Sequence, residues 1–425
     1  MADVQPLRAL HYDLNRTGGL QPVAAPPYDV IDEPRREALL ARSPYNVVEI
    51  DLPRDPGGGD PYAHAAQTLA AWRDEGVVVR DEEPALWALE QDYTGPDGRR
   101  RTRRGFFARV RVEDYGPGRI RPHERTHPGP KEDRLRLTRA TNANLSPIFS
   151  LYDDPAGAAW GALAPHVEGE PWGEVTDEDG TVHRLWRVGD PAAAEAVREA
   201  LAQTELLIAD GHHRYETARV HAEETGDPDA GWVLMCLVAL QDPGLTVFPT
   251  HRLLTALDDD GRAALARVLD ASFSASEVSA DELEPPTRDG PVQLGYLDSS
   301  DQPLRLTLSD PDAVAGALPD KPQAYRELDT AVLEALVLRG ALGMSEDDIS
   351  HLNGLDYARD AAQARERVER GEADAAFFTA GIPVERVRAV AAAGESMPPK
   401  STYFFPKILT GLLFNELIPH VAPEP

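Results

Sequence analysis

Apolar and polar residues follow two different spacings along this chain. Alternating or short continuous apolar runs predict strands, whereas apolar residues at positions i, i+3 and i+4 predict helices. Strands are expected at residues 47–52, 86–93, 105–112, 146–152, 172–176, 182–188, 206–209, 292–297, 303–308 and 375–379, with 231–240 a buried strand or helix. Helices are expected at residues 61–75, 131–143, 191–203, 210–224, 261–271, 329–338 and 384–393. This succession predicts an α+β (mixed α/β) protein.

Two regions are expected from this order. The strands at 86–93 and 105–112 flank the turn Gly95-Pro96-Asp97-Gly98, which predicts a hairpin. Residues 116–147 are dense in Gly, Pro, His, Arg and Asn, which predicts a loop with one short helix. We expect residues 1–254 to form a catalytic region with the hairpin and loop inserted in it. Residues 255–425 are expected to form a C-terminal α/β region that packs against it.

Composition is that of a globular protein. The chain has 425 residues, of which 42% are hydrophobic and 27% are charged. The single cysteine, Cys236, excludes an internal disulfide and is expected to be a buried small hydrophobe. No apolar run approaches the roughly 20 residues that span a bilayer. The first residues lack a basic segment followed by an apolar one. We therefore expect a cytoplasmic protein without a membrane segment.

The formal net charge of −29 narrows the range of partners. So acidic a surface repels the phosphate backbone of nucleic acids and anionic membranes. Small molecules are therefore the expected partners, and the oligomeric state is left open. Lysine is scarce, since only Lys131, Lys321, Lys400 and Lys407 occur.

The segment Asp210-Gly211-His212-His213-Arg214 combines residues that suit an anion site. Asp210 is a good helix N-cap, and beside a bound phosphate its carboxylate can orient a hydroxyl or help hold a metal ion. Gly211 permits a tight turn and close approach of a ligand. The helix start, crowded by His212 and His213, attracts anions, and the Arg214 fork suits phosphate. We predict a catalytic Asp210 followed by phosphate-binding or nucleotide-binding residues; the alternative is a capped helix with surface histidines.

A second candidate begins at residue 123. His123-Glu124-Arg125-Thr126-His127 fits the zinc-protease pattern His-Glu-x-x-His, which requires a helix. Pro128 disfavours helical geometry at His127, so a zinc-protease site is not the preferred interpretation.

An anion-binding catalytic loop is the preferred interpretation of the same segment. His123, Arg125, Lys131 and Arg134 offer positive charge or hydrogen-bond donors, and a carboxylate beside them can take a proton from an alcohol during phosphoryl transfer. Glu124 is therefore the predicted general base, with His123 also catalytic. Glu49, at the end of a predicted strand, is a reserve candidate. The alternative is a solvated charged loop.

Two further segments lie near the ends of the chain. Residues 24–29 form a stiff proline turn that presents Tyr28 and Asp29, either as substrate contacts or as part of a structural turn. Residues 394–401 nearly match a Walker A loop, but a proline replaces its second glycine and lacks the N–H that the phosphate cradle needs. Lys400 and Lys407 can still reach a phosphate as point charges.

Eight segments spread over the chain resemble the domain-of-unknown-function 1015 family, a large prokaryotic family. They are residues 25–31, 44–46, 123–126, 131–134, 144–149, 210–214, 249–252 and 400–407. From these segments we expect substrate contacts by Tyr28, Asp29, Asn144 and Arg252.

The Asp-Gly-His-His-Arg segment is also similar to the signature of free serine kinases in the ParB/sulfiredoxin superfamily. Members of that superfamily use a Gly-x-x-Arg helix start to bind nucleotide phosphates. The resemblance implies a ParB/sulfiredoxin-like nucleotide-binding domain within residues 1–254, and ATP or ADP with Mg²⁺ as cofactors.

Three functions follow as hypotheses. The first is a small-molecule phosphotransferase, a nucleotide-dependent kinase of free L-serine or a related hydroxy compound. The second is a metal-dependent hydrolase using His123, His127, His212 and His213, or a nucleotidase. The third is a nucleotide-binding regulatory module.

Overall fold

The computed structural model describes residues 2–55, 57–124, 126, 128–287 and 290–417. It divides the chain into two compact units. Unit 1 comprises residues 1–122, 126–245 and 406–425, and unit 2 comprises residues 123–125 and 246–405. The boundary expected at 254/255 falls at the end of a strand of unit 2.

Unit 1 contains the first twelve strands and the first eight α-helices of the described residues. The strands are β1 (Val4–Gln5), β2 (Leu10–Tyr12), β3 (Val78–Arg80), β4 (Leu86–Thr94), β5 (Arg100–Arg111), β6 (Ile120–Arg121), β7 (Ala143–Asn144), β8 (Ile148–Tyr152), β9 (Gly173–Thr176), β10 (Val182–Val188), β11 (Leu206–Asp210) and β12 (Trp232–Ala239). The helices are α1 (Leu14–Thr17), α2 (Glu33–Arg42), α3 (Val48–Asp51), α4 (Pro61–Asp74), α5 (Pro128–Thr141), α6 (Ala158–Leu163), α7 (Pro191–Leu201) and α8 (His212–Thr225), with 3₁₀ turns at Tyr28–Val30 and Ala164–His166.

A nine-stranded sheet forms the centre of unit 1. Its strand order is β6-β11-β8-β12-β5-β4-β10-β9, and β1 pairs with β5. The β6–β11 and β8–β12 pairs are parallel, and the other pairs are antiparallel. Side chains alternate between the two faces of each strand. Phe106, Ala108, Ile208, Met235 and Leu237 are buried on one face together with residues of α6, α7 and α8.

Unit 2, over its described residues, contains eight strands and seven α-helices. The strands are β13 (Thr246–Phe248), β14 (His251–Leu254), β15 (Phe273–Glu277), β16 (Gln293–Asp298), β17 (Leu304–Leu308), β18 (Leu355–Ala358), β19 (Ala375–Phe378) and β20 (Tyr403–Phe405). The helices are α9 (Asp259–Ser272), α10 (Pro311–Ala317), α11 (Gln323–Arg326), α12 (Asp329–Val332), α13 (Glu346–His351), α14 (Ala361–Glu369) and α15 (Val384–Ala392), with a 3₁₀ turn at Ala280–Glu282 and a π-helix at Leu333–Ala341. Six strands form an antiparallel sheet in the order β15-β17-β16-β19-β14-β18.

The last strand of the described residues, β21 (Asn415–Glu416), belongs to unit 1 and pairs with β7.

The mixed α/β class predicted from the sequence is confirmed, and one predicted strand is wrong. Residues 47–52 contain helix α3, because the Asn46 side chain accepts a hydrogen bond from the backbone N–H of Val48 at 3.1 Å and starts a helical turn. The apolar residues Val47, Val48 and Ile50 are all buried in that turn, so their spacing imitates a strand. The predicted helix at 329–338 is α12 followed by the π-helix.

Within the described ranges, no helix is both long and apolar enough to cross a lipid bilayer.

Candidate functional site

A β-bulge turns Asp210 toward one face of the large sheet. Ile208 pairs with Ser150, but Asp210 pairs with Phe149, so one residue of β11 is left between the two pairs. Directly paired residues share a face, and neighbours along a strand lie on opposite faces. The bulge therefore places Asp210 on the face of Phe149, opposite the face that carries Ile208.

The Asp210 carboxylate forms an ion pair with Lys407. The Lys407 Nζ atom donates to Asp210 Oδ2 at 2.9 Å, and both side chains are about one fifth exposed, at 23% and 21%. Burial alone would raise the pKa of the Asp210 carboxyl, but the charges of Lys407 and Arg214 outweigh it and hold that pKa far below its usual range. Asp210 is thus a fixed negative charge at the carboxyl end of β11.

Gly211 occupies the N-cap of α8, which corrects the expectation that Asp210 would cap this helix. Its φ of 95° is in the left-handed region, which glycine adopts without strain. A Cβ at this position would lie 3.0 Å from Arg214 Nε. The turn therefore requires glycine for two reasons, its backbone conformation and the space taken by Arg214.

Arg214 lies between the Asp210 turn and a cavity. Its Nη1 atom donates to the carbonyl oxygen of Pro147, and its Nη2 atom is 3.9 Å from Asp210 Oδ1. Its Nε atom is buried, and this one nitrogen of the guanidinium has no hydrogen-bond partner among the described residues. His212, next to Gly211, is buried, and His213 is half-buried.

The cavity beside Arg214 is small, with a volume of about 30 Å³, and contains a buried ion pair. Asp51 and Arg134 both line it, with Arg134 Nη1 3.1 Å from Asp51 Oδ1. Ser146 Oγ donates to Asp51 Oδ2 at 3.2 Å. Burial raises the pKa of the Asp51 carboxyl, although Arg134 and Arg214 oppose it. The cavity wall therefore offers a carboxylate, a hydroxyl and two guanidinium groups.

Other predicted residues of unit 1 lie around this cavity. The Arg134 guanidinium carbon is 4.2 Å from the centre of the Tyr28 ring, whereas Asp29 is exposed. Asn144 lines the cavity, and its Oδ1 atom accepts hydrogen bonds from the backbone of Leu234 and from the Asn415 side chain. The carbonyl of Lys131 accepts from the Thr217 hydroxyl at 3.4 Å, which ties α5 to α8.

The remaining predicted site residues belong to unit 2 or lie outside the described residues. His123 is fully buried and shares a hydrogen bond of 2.9 Å with the Thr402 hydroxyl, which also donates to Glu124 Oε1 at 3.3 Å. The guanidinium of Arg252 is buried and donates to the carbonyls of Thr250 and Pro399.

Lys400, also in unit 2, is exposed and has a φ of 54°. Arg125 and His127 lie outside the described residues. The reserve candidate Glu49 is in α3, where it pairs with His64 and Arg36.

The sequence predicts Lys407 only as a point charge that can reach a phosphate, and it does not indicate Asp51 or Ser146 as residues of this site. Two signals point to Lys407: lysine is scarce in this chain, and the residue ends the segment 400–407 that carries part of the family resemblance. Nothing in the local pattern indicates that it meets Asp210, because the contact spans 197 positions.

In the parts of the chain that the structure describes, no three His, Cys, Asp or Glu side chains come together as metal ligands. His123, His212 and His213 are among these described residues, whereas His127 is not.

Comparison with known families matches residues 4–331 to the family described as "Protein of unknown function (DUF1015)". The match covers most of the chain, so the chain belongs to this family, and the prediction made from its motifs is confirmed. No curated protein matches the chain.

Several solved structures are similar to the chain. A conserved hypothetical protein from Pyrococcus furiosus is 15% identical over 70% of this chain and 90% of its own, with a TM-score of 0.35. A mutant free serine kinase in complex with ADP is 12% identical over 70% of this chain and 87% of its own, with a TM-score of 0.38. SbnI from Staphylococcus aureus, truncated at its C-terminus, is 11% identical over 72% and 85%, with a TM-score of 0.36.

Proposed function

We propose that this protein is a small-molecule phosphotransferase, a nucleotide-dependent kinase that acts on free L-serine or a related hydroxy compound. The observation that carries the proposal is the Asp210–Lys407 ion pair at the start of α8, directly beside Arg214. A fixed carboxylate, an ammonium and a guanidinium then surround one helix N-terminus. Phosphoryl transfer depends mainly on such positioned charges.

The phosphates of ATP or ADP fit the start of α8. The left-handed Gly211 forms the tight turn before α8, and the Arg214 guanidinium, packed against that turn, can supply donors to a phosphate. The dipole of a helix favours an anion at its N-terminus, so the start of α8 suits a phosphate group. The resemblance of this segment to the free serine kinase signature supports the same assignment.

The side chains that line the small cavity beside Arg214 complement the polar groups of an acceptor. Asp51 can accept a hydrogen bond from an ammonium or hydroxyl group, and the guanidinium groups of Arg134 and Arg214 can hold a carboxylate. A molecule that carries all three groups, such as a hydroxy amino acid, complements these charges. Tyr28 and Asn144, predicted substrate contacts, lie against Arg134 and in the cavity wall respectively.

The low pKa of Asp210 keeps its carboxylate ionised and makes it a weak general base. Asp210 is therefore better suited to orienting the acceptor hydroxyl than to taking its proton. Glu124, with His123, stays the proton acceptor that the sequence predicts. Mg²⁺ would be held by Asp210 together with the nucleotide phosphates, since Mg²⁺ commonly takes only one or two protein carboxylates. When bound, Mg²⁺ would neutralise the negative charge that develops on those phosphates.

The test is phosphorus NMR of the purified protein incubated with Mg²⁺, ATP or ADP, and L-serine or another small hydroxy acid. A new phosphomonoester signal that is lost in Asp210→Asn supports the proposal. Nucleotide hydrolysis without an ester product would instead indicate a nucleotidase. Tight nucleotide binding with no turnover on any acceptor would indicate a regulatory module, and either result overturns the kinase.

A further inference from the structure

A row of polar side chains crosses three strands of the large sheet below Lys407. Arg103 of β5 pairs directly with Gln91 of β4, and Gln91 pairs directly with His183 of β10. Directly paired residues share a face, so the three side chains form one continuous row. All three are buried, with exposures of 0%, 1% and 0%.

Hydrogen bonds determine the orientation of the Gln91 amide. Its Oε1 atom accepts from Arg103 Nε at 2.9 Å and from Nη2 at 2.6 Å. Because guanidinium groups only donate, the amide oxygen must face Arg103. The amide nitrogen then faces two acceptors, His183 Nδ1 at 3.0 Å and the carbonyl of Lys407 at 3.2 Å.

The far end of the row fixes the His183 tautomer. Since Nδ1 accepts from Gln91, the ring proton is on Nε2, which donates to Asp177 Oδ2 at 3.0 Å. Burial lowers the pKa of His183, which keeps the ring neutral in this arrangement. The hydrogen bonds of the row therefore fix both the orientation of the Gln91 amide and the tautomer of His183.

The row holds the backbone on both sides of Lys407. Arg103 Nη2 donates to the carbonyl oxygen of Pro406 at 2.5 Å, and Gln91 Nε2 donates to the carbonyl oxygen of Lys407 itself. Three residues further on, Thr410 exchanges two backbone hydrogen bonds with Ala25. The α-carbon of Lys407 thus lies between two anchored carbonyl groups.

Burying the charged side chain of Arg103 lowers the stability of the fold if this residue serves only for packing. Its guanidinium lies 4.6 Å from the centre of the Phe149 ring, and its acceptors, Gln91 Oε1 and the Pro406 carbonyl oxygen, are uncharged. Burial lowers the pKa of Arg103 to about 10, and its Nη1 atom has no partner among the described residues. An apolar side chain would fill the same space without the desolvation cost of a charge.

We infer that Gln91 and Arg103 are positioning residues that hold Lys407 at Asp210. The inference rests on the proposed function for the importance of that ion pair, but the ion pair itself can be measured without any activity. Phe149, the residue under Arg103, is also the strand partner of Asp210, so the row and the ion pair share one face of the sheet.

Lysine-specific NMR tests the inference. The chain has four lysines, so protein labelled with ¹³C at lysine Cε gives four assignable signals. Gln91→Glu is the informative variant: its carboxylate still accepts from Arg103 but cannot donate to the carbonyl of Lys407. His183 can protonate and donate both to the introduced carboxylate and to Asp177, so we expect this variant to fold.

We expect the Lys407 signal of Gln91→Glu to move toward its position in Asp210→Asn, while the other three lysine signals stay unchanged. The control is Tyr93→Phe, which removes a different buried hydrogen bond of β4, from Tyr93 to the carbonyl of Gly244 at 2.8 Å. Arg103→Lys is a second variant, because an ammonium cannot satisfy both Gln91 and Pro406 in the fork geometry.

The outcomes separate the two proposals. A Lys407 signal that stays at its wild-type position in folded Gln91→Glu and Arg103→Lys overturns the positioning role, whatever the activity. If wild-type protein transfers no phosphate but the signal moves, the kinase fails and the positioning role stands. If phosphate is transferred, kcat should fall about 10- to 100-fold in both variants with little change in the nucleotide KM, as expected for a displaced catalytic group.

Discussion

The Lys407 ammonium lies 2.9 Å from Oδ2 of Asp210, although 197 positions separate the two residues. The pair joins the end of β11 to the segment that follows unit 2 in the sequence. Its chemistry is simple, because the ammonium holds the pKa of the carboxyl low and the carboxylate keeps the ammonium in place.

Replacing Lys407 by methionine should abolish phosphotransfer at modest cost in stability. The change leaves the half-buried Asp210 without its main partner, which should cost about 1–3 kcal/mol of unfolding free energy, and kcat should fall by about 100-fold or more. Lys321→Met is the matched control, since Lys321 and Glu395 form an ion pair whose side chains are 24% and 22% exposed. Equal loss of activity in both variants, measured with urea unfolding alongside, would contradict a specific role for Lys407.

Gly211→Ala should weaken nucleotide binding, and Gly226→Ala should not. Both glycines cap α8 with positive φ, 95° and 63°, so each substitution should cost about 1 kcal/mol or more in strain. A Cβ at 226 meets no atom within 4 Å, whereas a Cβ at 211 meets Arg214. Isothermal calorimetry with ADP measures the difference. Similar affinities in the two variants would argue against phosphate binding at this turn.

Arg214→Lys should raise the nucleotide KM by about 10-fold, because lysine cannot present two donors in a planar fork. The control is Arg219→Lys on the same helix, where the guanidinium pairs with Asp114 at 2.6 Å. Steady-state kinetics with varied nucleotide distinguish them. An unchanged KM in Arg214→Lys would remove Arg214 from the phosphate site.

Acid should destabilise unit 2 through His251. Burial, aided by the charge of Arg252, lowers the pKa of His251 to about 4, and its Nδ1 atom accepts from the backbone N–H of Thr379 at 3.3 Å. Against an unfolded pKa of about 6.5, the unfolded state binds the proton first, so this contribution to stability is complete above pH 6.5 and is lost as the pH falls toward 4. The loss at pH 5 should be about 2 kcal/mol.

Urea unfolding of wild type and His251→Gln at pH 7 and pH 5 measures this effect. Glutamine can still accept from Thr379 but does not titrate in this range. A pH dependence of the same size in both proteins would exclude His251 as its source.

The strongly periodic elements were predictable from sequence, and the contacts between distant segments were not. The strand at 182–188 and the strand–turn–helix around Gly211 were predicted closely because each is a local pattern. The bulge that turns Asp210 depends on pairing with β8, and it is Gly211, one residue after the strand, that occupies the N-cap. The strand predicted at residues 47–52 is wrong because Asn46 Oδ1 accepts a hydrogen bond from the backbone N–H of Val48 and starts a helical turn. The apolar spacing of so short a segment is compatible with either structure.

The long separation of Asp210 and Lys407 also has a consequence during synthesis. At about 5–20 residues per second, a ribosome needs about 10–40 s to translate the 197 positions from one to the other. Throughout that interval a nascent unit 1 has its aspartate but not the lysine that neutralises it. The ion pair can form only after the whole of unit 2 has been translated, so a chain interrupted within unit 2 cannot assemble this centre.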